Sequence, residues 1–150
     1  MNGFTRAAGS YMLVAVLTQS TEVTVGRLGL AAFPPGWYVY AGSAHGPGGI
    51  GARLARHLRP GHQKRAHWHI DYLLAHARVT EAWARPGWEP LECRWASALA
   101  EAEGALRMPP RFGASDCGCP GHLVCLPQRP SAHRLMEMGL HPVLARLPAP

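Results

Sequence analysis

The chain has 150 residues, 47% of them hydrophobic, which suits one domain over 1–150 with a core at about 9–126 and leaves no room for a second. Fifteen Lys and Arg against nine Asp and Glu give a formal charge of +6, and fourteen of the fifteen cations are arginine, the side chain best suited to bidentate phosphate contacts. That balance suits a polyanionic partner, although a genome rich in arginine codons produces the same composition, so charge alone decides nothing.

The longest apolar run, Tyr11 to Leu17, is far below the ~18 residues of a membrane span. No N-terminal segment joins a basic head to an apolar stretch and a cleavage site, so we expect a cytoplasmic protein with no membrane partner. Cys93, Cys117, Cys119 and Cys125 are even in number, but three crowd within nine residues and nothing points to export, which favours reduced thiols over a disulfide framework.

In chain order, Gly9 to Leu17 reads as a strand rich in Val and Leu, with Tyr11 near its start. A weaker strand at about Glu22 to Val25 precedes Gly-rich turns, and Pro34-Pro35-Gly36 introduces a strong strand at Trp37 to Ala41. There Tyr38 and Tyr40 share one face and Trp37 and Val39 the other. Antiparallel pairing of the two strong strands would set Tyr11 beside Tyr40.

A loop from Gly42 to Gly49 leads to a helix at Ile50 to Leu58, with Ile50, Leu54 and Leu58 as its buried stripe. Arg53 and His57 lie one turn apart on a neighbouring flank, while Arg56 points further toward solvent. After a basic loop, His67 to Leu74 reads as mostly helical and Arg78 to Ala84 as a strand. Pro90 then opens a helix from about Leu91 to Glu103, with Leu91, Trp95, Ala98, Leu99 and Ala102 on its buried face and Glu92 in its first turn. A short apolar run at Leu123 to Leu126 follows the Cys-rich stretch. The Pro-rich tail at about 127–150 offers one weak helical piece near Ala132 to Met138 and ten loosely held last residues.

Taken singly, a strand tyrosine, a helix arginine or a first-turn glutamate is ordinary packing, a solvated cation or a helix-dipole complement. Jointly and in this order, Gly9-Ser10-Tyr11, Tyr40-Ala41-Gly42, Arg53 and Glu92 resemble the GIY-YIG nuclease superfamily. Gly42-Ser43-Ala44 followed by Arg53-Leu54-Ala55-Arg56-His57 is similar to a pattern of phage intron homing endonucleases, and Glu92-Cys93-Arg94-Trp95 to their metal-binding helix. The incision subunit of bacterial nucleotide-excision repair has the same layout. The run from Trp37 through Tyr72 is similar to a small stand-alone branch long catalogued as a domain of unknown function. The middle residues of both motifs differ from the family pattern, and the longer loop after Gly42 leaves Arg53 and Arg56 competing for one role; the spacing to the Arg-His pair and the flank shared with His57 favour Arg53.

The resemblance implies an α+β fold, a small and mainly antiparallel central sheet flanked by helices. It also implies a metal-dependent endonuclease acting on nucleic acid, with DNA as the expected partner. In-line attack of water on a phosphodiester needs a proton acceptor, a fixed cation and a metal ion. By resemblance Tyr11 activates the water, Tyr40 tunes or orients it, Arg53 holds the developing charge, and Glu92 ligates Mg2+ or Mn2+; His57 is a second candidate base or shuttle. An ordinary tyrosine, with a pKa of about 10, needs a nearby cation or metal to favour its phenolate at neutral pH.

Arg56, Lys64 and His69 are the expected nucleic-acid contacts. His67, His69 and Asp71 would share one face of a strand as an iron-type ligand set, but in a helix His69 points away, which favours a groove-lining role. Cys117, Cys119, His122 and Cys125 suffice for a structural zinc site, although their spacing matches no familiar zinc module. The competing readings are a catalytically silent nucleic-acid-binding module on the same fold and a zinc-stabilised nucleic-acid adaptor.

Overall fold

Alternation governs the first strand, β1 (Gly9–Leu17), in which Tyr11, Leu13, Ala15 and Leu17 pack on one side while Met12 and Val14 pack on the other. A strand buried on both faces belongs at the centre of a covered sheet. The structure, a computed structural model describing residues 5–60, 66–114 and 117–144, places it there. A short hairpin, β2 (Thr21–Thr24) and β3 (Leu30–Phe33), follows β1, and β4 (Gly36–Ala44) then returns antiparallel to it.

Helices α1 (Gly49–Leu58) and α2 (His69–Leu74) lead to β5 (Arg78–Pro86), which pairs with the other edge of β1. Next come α3 (Glu92–Ala100), the two-residue β6 (Leu106–Arg107), β7 (Leu123–Leu126), α4 (Ala132–Glu137) and β8 (His141–Leu144). The six-stranded sheet runs β6-β7-β4-β1-β5-β8, with every recorded pairing antiparallel. This is the α+β architecture expected, with helices on both faces. Among the described residues, no helix is long and apolar enough to cross a membrane.

Ile50, Leu54, Ile70 and Leu73 pack from α1 and α2 against Tyr11, Leu13 and Tyr40. Leu91, Trp95, Ala96, Leu99 and Leu135 pack from the α3 and α4 side against Met12, Val14, Val39 and Trp83. Each fully buried aliphatic side chain contributes about 1.5–3 kcal/mol of transfer free energy, so both layers hold the sheet.

Several boundaries differ from expectation. β4 continues through Gly42-Ser43-Ala44, expected as loop, because these residues pair with Tyr11, Ser10 and Gly9. The stretch read as turns contains β3. α2 begins only at His69, where the Asp71 carboxylate accepts the backbone N–H groups of His67 and Trp68 at 2.8 and 2.9 Å, and α3 begins at Glu92, so Pro90 precedes the helix instead of occupying its first position.

The larger correction concerns the tail. Leu135 and Leu140 are buried in the core and residues 141–144 form β8 against β5, so the fold extends well past 126. Of the ten residues expected to be loose, 145–150 lie outside the described residues.

Candidate functional site

Register brings the two tyrosines together. Tyr11 lies opposite Gly42 and Tyr40 opposite Leu13, which makes the phenols diagonal neighbours on one face with ring centroids 6.3 Å apart. Gly42 permits this, since a Cβ there would overlap the Tyr11 ring. Tyr40 has a similar neighbour in Gly113, in the left-handed region at φ 73°, where a Cβ would stand 2.9 Å from the ring.

Above this face, α1 directs Arg53 and His57 toward the sheet tyrosines and Arg56 toward α2. His57 is buried, and its Nε2 lies 2.6 Å from the Tyr11 hydroxyl, with donor and acceptor set by the tautomer. The Arg53 guanidinium is near enough to the same phenol for its charge to favour the ionised form. Both guanidiniums lie 4.2 Å from the Trp68 ring centroid, close enough for cation–π attraction. The two arginines then diverge. Arg56, expected as a nucleic-acid contact, forms a bidentate ion pair with buried Asp71, both bonds at 2.9 Å, and keeps part of its side chain exposed. Arg53 faces a cavity.

That cavity, about 350 Å³, is lined by Tyr40, Gly42, Ser43, Arg53, Trp68 and Glu92, with Pro90, Cys93, Gly113, Cys117 and His122 completing its rim. Glu92 belongs to the opposite helical layer and reaches the tyrosine side at the sheet's end. β7 pairs with β4 only from Trp37 to Tyr40, and the bond from Ala41 N–H to the His122 carbonyl is the next beyond it. Past that point the outer edge of Gly42 and Ser43 lines the cavity. Ser10 anchors the start of α3, accepting the Leu91 N–H at 3.4 Å and donating to Glu92 Oε2 at 3.3 Å.

The expected convergence is therefore partial: Tyr40, Arg53 and Glu92 meet at the cavity, while Tyr11 and His57 lie buried behind it. Burial, reinforced by the neighbouring Tyr40, raises the Tyr11 pKa well above the ordinary phenol range, outweighing Arg53. Burial likewise pushes Tyr40 up to about 12 against the pull of Arg53. The expected cation is present, yet desolvation wins and both phenols are protonated at neutral pH.

A second cluster borders the cavity. Cys93, Cys117, Cys119 and His122 place their ligand atoms within 4.8 Å of one another, a Cys3His set that can hold a metal ion. Cys93 replaces Cys125 in the set expected from sequence. Cys125 lies on β7 opposite Tyr38, in the α1-side core and three residues beyond His122, about 10 Å along an extended chain.

His69 lines a separate cavity with Arg27, His67, Tyr72 and Arg111, its Nδ1 accepts the Gly113 N–H at 2.8 Å, and burial lowers its pKa. Asp71 is committed to Arg56 and the α2 start, so His67, His69 and Asp71 form no ligand set. Lys64 lies outside the described residues. A larger cavity of about 670 Å³ between α3 and the 126–134 segment contains none of the candidate residues.

Sequence reading missed Cys93, Trp68 and the anchoring role of Ser10. Cys93 stands 24 residues before Cys117, so no local spacing links them. Ser10 was visible within the first motif, but only the fold shows what it touches.

Compared with protein families, residues 10–143 match a domain of unknown function, DUF123. No curated protein and no solved structure matches the chain.

Proposed function

The chain belongs to the DUF123 family, and from that premise we propose that it is a GIY-YIG-type, metal-dependent endonuclease that hydrolyses phosphodiester bonds in DNA. The observation that carries this reading is the meeting of Tyr40, Arg53 and Glu92 at one cavity, with the Tyr11–His57 pair directly behind. The order Gly-Ser-Tyr, Tyr-Ala-Gly, Arg and Glu along the chain supports the same reading, as does the arginine-rich charge.

A scissile phosphate in the cavity meets the Arg53 guanidinium, which lies over the Trp68 ring and stabilises charge building on the nonbridging oxygens. Tyr40 orients the attacking water. Because burial keeps the phenols protonated, Tyr11 accepts the water proton only as its own passes to Nε2 of His57, making the two side chains one proton-accepting unit. As the water oxygen bonds to phosphorus, the P–O bond to the leaving sugar oxygen breaks, and that oxygen takes up a proton from solvent water.

Magnesium and manganese accept one or two protein carboxylates and fill their remaining positions with water and phosphate oxygens. The cavity fits that demand through the Glu92 carboxylate, steadied by Ser10. When bound, the cation supplies Lewis-acid stabilisation of the phosphate and leaving oxygen.

The test is a panel of labelled duplex, single-stranded and branched DNA, and RNA, incubated with magnesium, manganese or chelator. Metal-dependent cleavage of DNA is expected, and Glu92→Gln should lower it about 100-fold or more while leaving binding intact. Normal cleavage by that variant would remove Glu92 from the mechanism. Binding without cleavage across the panel would instead establish the second reading, a catalytically silent nucleic-acid-binding module, which the protonated state of both buried phenols favours.

A further inference from the structure

Three thiols and an imidazole from distant parts of the chain meet at the cavity rim. Cys93 stands in the first turn of α3, and Cys117, Cys119 and His122 occupy the loop before β7. All four cysteines of the chain are free thiols.

The spacing of Cys93, Cys117 and His122 matches one face of a coordination tetrahedron, and the Cys119 sulfur lies within 4.8 Å of all three ligand atoms. Zn–S bonds of about 2.3 Å and Zn–N bonds of about 2.0–2.1 Å give a tetrahedron with S···S edges of about 3.8 Å and S···N edges of about 3.6 Å. Here Cys93 Sγ lies 3.6 Å from Cys117 Sγ and 3.3 Å from His122 Nε2, and Cys117 Sγ lies 3.5 Å from that nitrogen. Hydrogen bonding accounts for this less well. One imidazole nitrogen offers either one N–H or one lone pair, so it cannot fully serve two sulfurs, and thiols are weak donors. A single central cation satisfies every ligand atom at once.

The surroundings suit a thiolate-rich centre. Zinc with three thiolates and a neutral imidazole carries one net negative charge, and Arg107 lies against it, donating from Nη2 to Cys119 Sγ at 2.9 Å and from Nε to the Gly121 carbonyl at 2.9 Å. Arg111 donates to the Cys119 carbonyl at 2.7 Å. Such outer contacts fix ligand orientation around bound metals. The loop is also tied to regular structure, with the His122 N–H on the Phe112 carbonyl at 2.7 Å and the Arg111 N–H on the Pro120 carbonyl at 2.7 Å.

We propose that Cys93, Cys117, Cys119 and His122 bind one zinc ion in a closed tetrahedral site that clamps the 117–122 loop to the first turn of α3. Four protein ligands leave no position for a reacting water, so the ion is structural. Binding releases the thiol protons to solvent as the thiolates form. Glu92 immediately precedes Cys93, so the ion also fixes the backbone that carries the carboxylate on the cavity wall. The zinc site goes beyond the nuclease reading and stands or falls without it.

The experiment uses the full chain, produced in zinc-containing medium and purified under reducing conditions, with metal content measured by elemental analysis. About one zinc per chain is expected, and exchange with cobalt should give the intense visible bands of a tetrahedral ion with thiolate charge transfer. Cys125→Ser should keep both signals. Cys119→Ser should lower zinc affinity by more than about tenfold. Cys93→His, which can still ligate, should retain cobalt with about one third of the thiolate charge transfer lost. Reduced wild-type chain that carries no zinc and takes up no cobalt would overturn the proposal. So would loss of metal from Cys125→Ser, or a Cys93→His cobalt spectrum identical to that of the wild type.

Discussion

The cavity has two walls of different construction. One is regular structure: β1 and β4 set Tyr11 and Tyr40 by register, and α1 lowers Arg53 and His57 onto them. The other is a loop and a helix start, carrying Glu92, Cys93, Cys117 and His122. The first derives its geometry from period-two alternation and helical spacing, which repeat along the chain; the second derives it from contacts between residues tens of positions apart. Geometry set by periodicity tolerates local change poorly but needs no added ligand, whereas a loop wall needs a tie.

The largest expected effects fall on the regular wall. Tyr11→Phe, Tyr40→Phe and Arg53→Ala should each lower DNA cleavage by roughly 100-fold or more while leaving affinity within a few-fold. Their pairwise combinations should lose much less than the product of the single losses, because a group that acts on the transition state matters less once its partner is gone. Multiplicative losses in single-turnover cleavage would show three independent contributors and break the idea of one unit.

The glycines of the two walls sharpen the contrast. Gly42→Ala forces a Cβ into the Tyr11 ring and should cost about 1–3 kcal/mol of stability, with cleavage falling alongside as the phenol is displaced. Gly118→Ala has no atom within 4 Å of the new Cβ and should change stability by no more than about 0.5 kcal/mol. Equal effects in urea unfolding would erase the distinction.

The smallest effect is in the acid range. Burial alone would raise the Asp71 pKa, but hydrogen bonds from Arg56 and from the His67 and Trp68 N–H groups, together with the Arg56 charge, hold it below its ordinary value. A depressed carboxylate pKa contributes stability that is complete above the unfolded value and is lost as pH falls through the folded one. Asp71→Asn should therefore flatten the loss of stability between about pH 5 and about pH 2, measured by urea unfolding at stepped pH. An unchanged acid limb would mean that other carboxylates govern it.

Much of the regular wall was legible in the sequence. The alternation of Tyr38 and Tyr40 against Trp37 and Val39, and the Ile50–Leu54 stripe, follow from side-chain direction alone. Arg53 and His57 lie on one flank for the same reason. What alternation cannot give is depth: Tyr11 and His57 are deep in the core, and a one-dimensional pattern does not say which end of a strand is capped by a helix. The loop wall was barely legible. Cys125 resembles a zinc ligand by nearness in sequence, yet strand pairing with Tyr38 carries it away, and Cys93 enters from a helix that no spacing rule connects to the loop. In the tail the helical piece near Ala132 to Met138 was legible, but its prolines hid the burial of Leu135 and Leu140 and the β8 pairing, all contacts with distant partners.

The stacking of Arg53 on Trp68 has a thermodynamic consequence for any ligand of the cavity. A free arginine side chain carries about 2 kcal/mol of rotamer entropy, which a phosphate would otherwise have to quench on binding. Lying 4.2 Å from the indole centroid, the guanidinium has already lost much of that freedom when the chain folds. The cost is thereby transferred from recognition to folding, and an anion entering the cavity meets a cation whose orientation is already chosen.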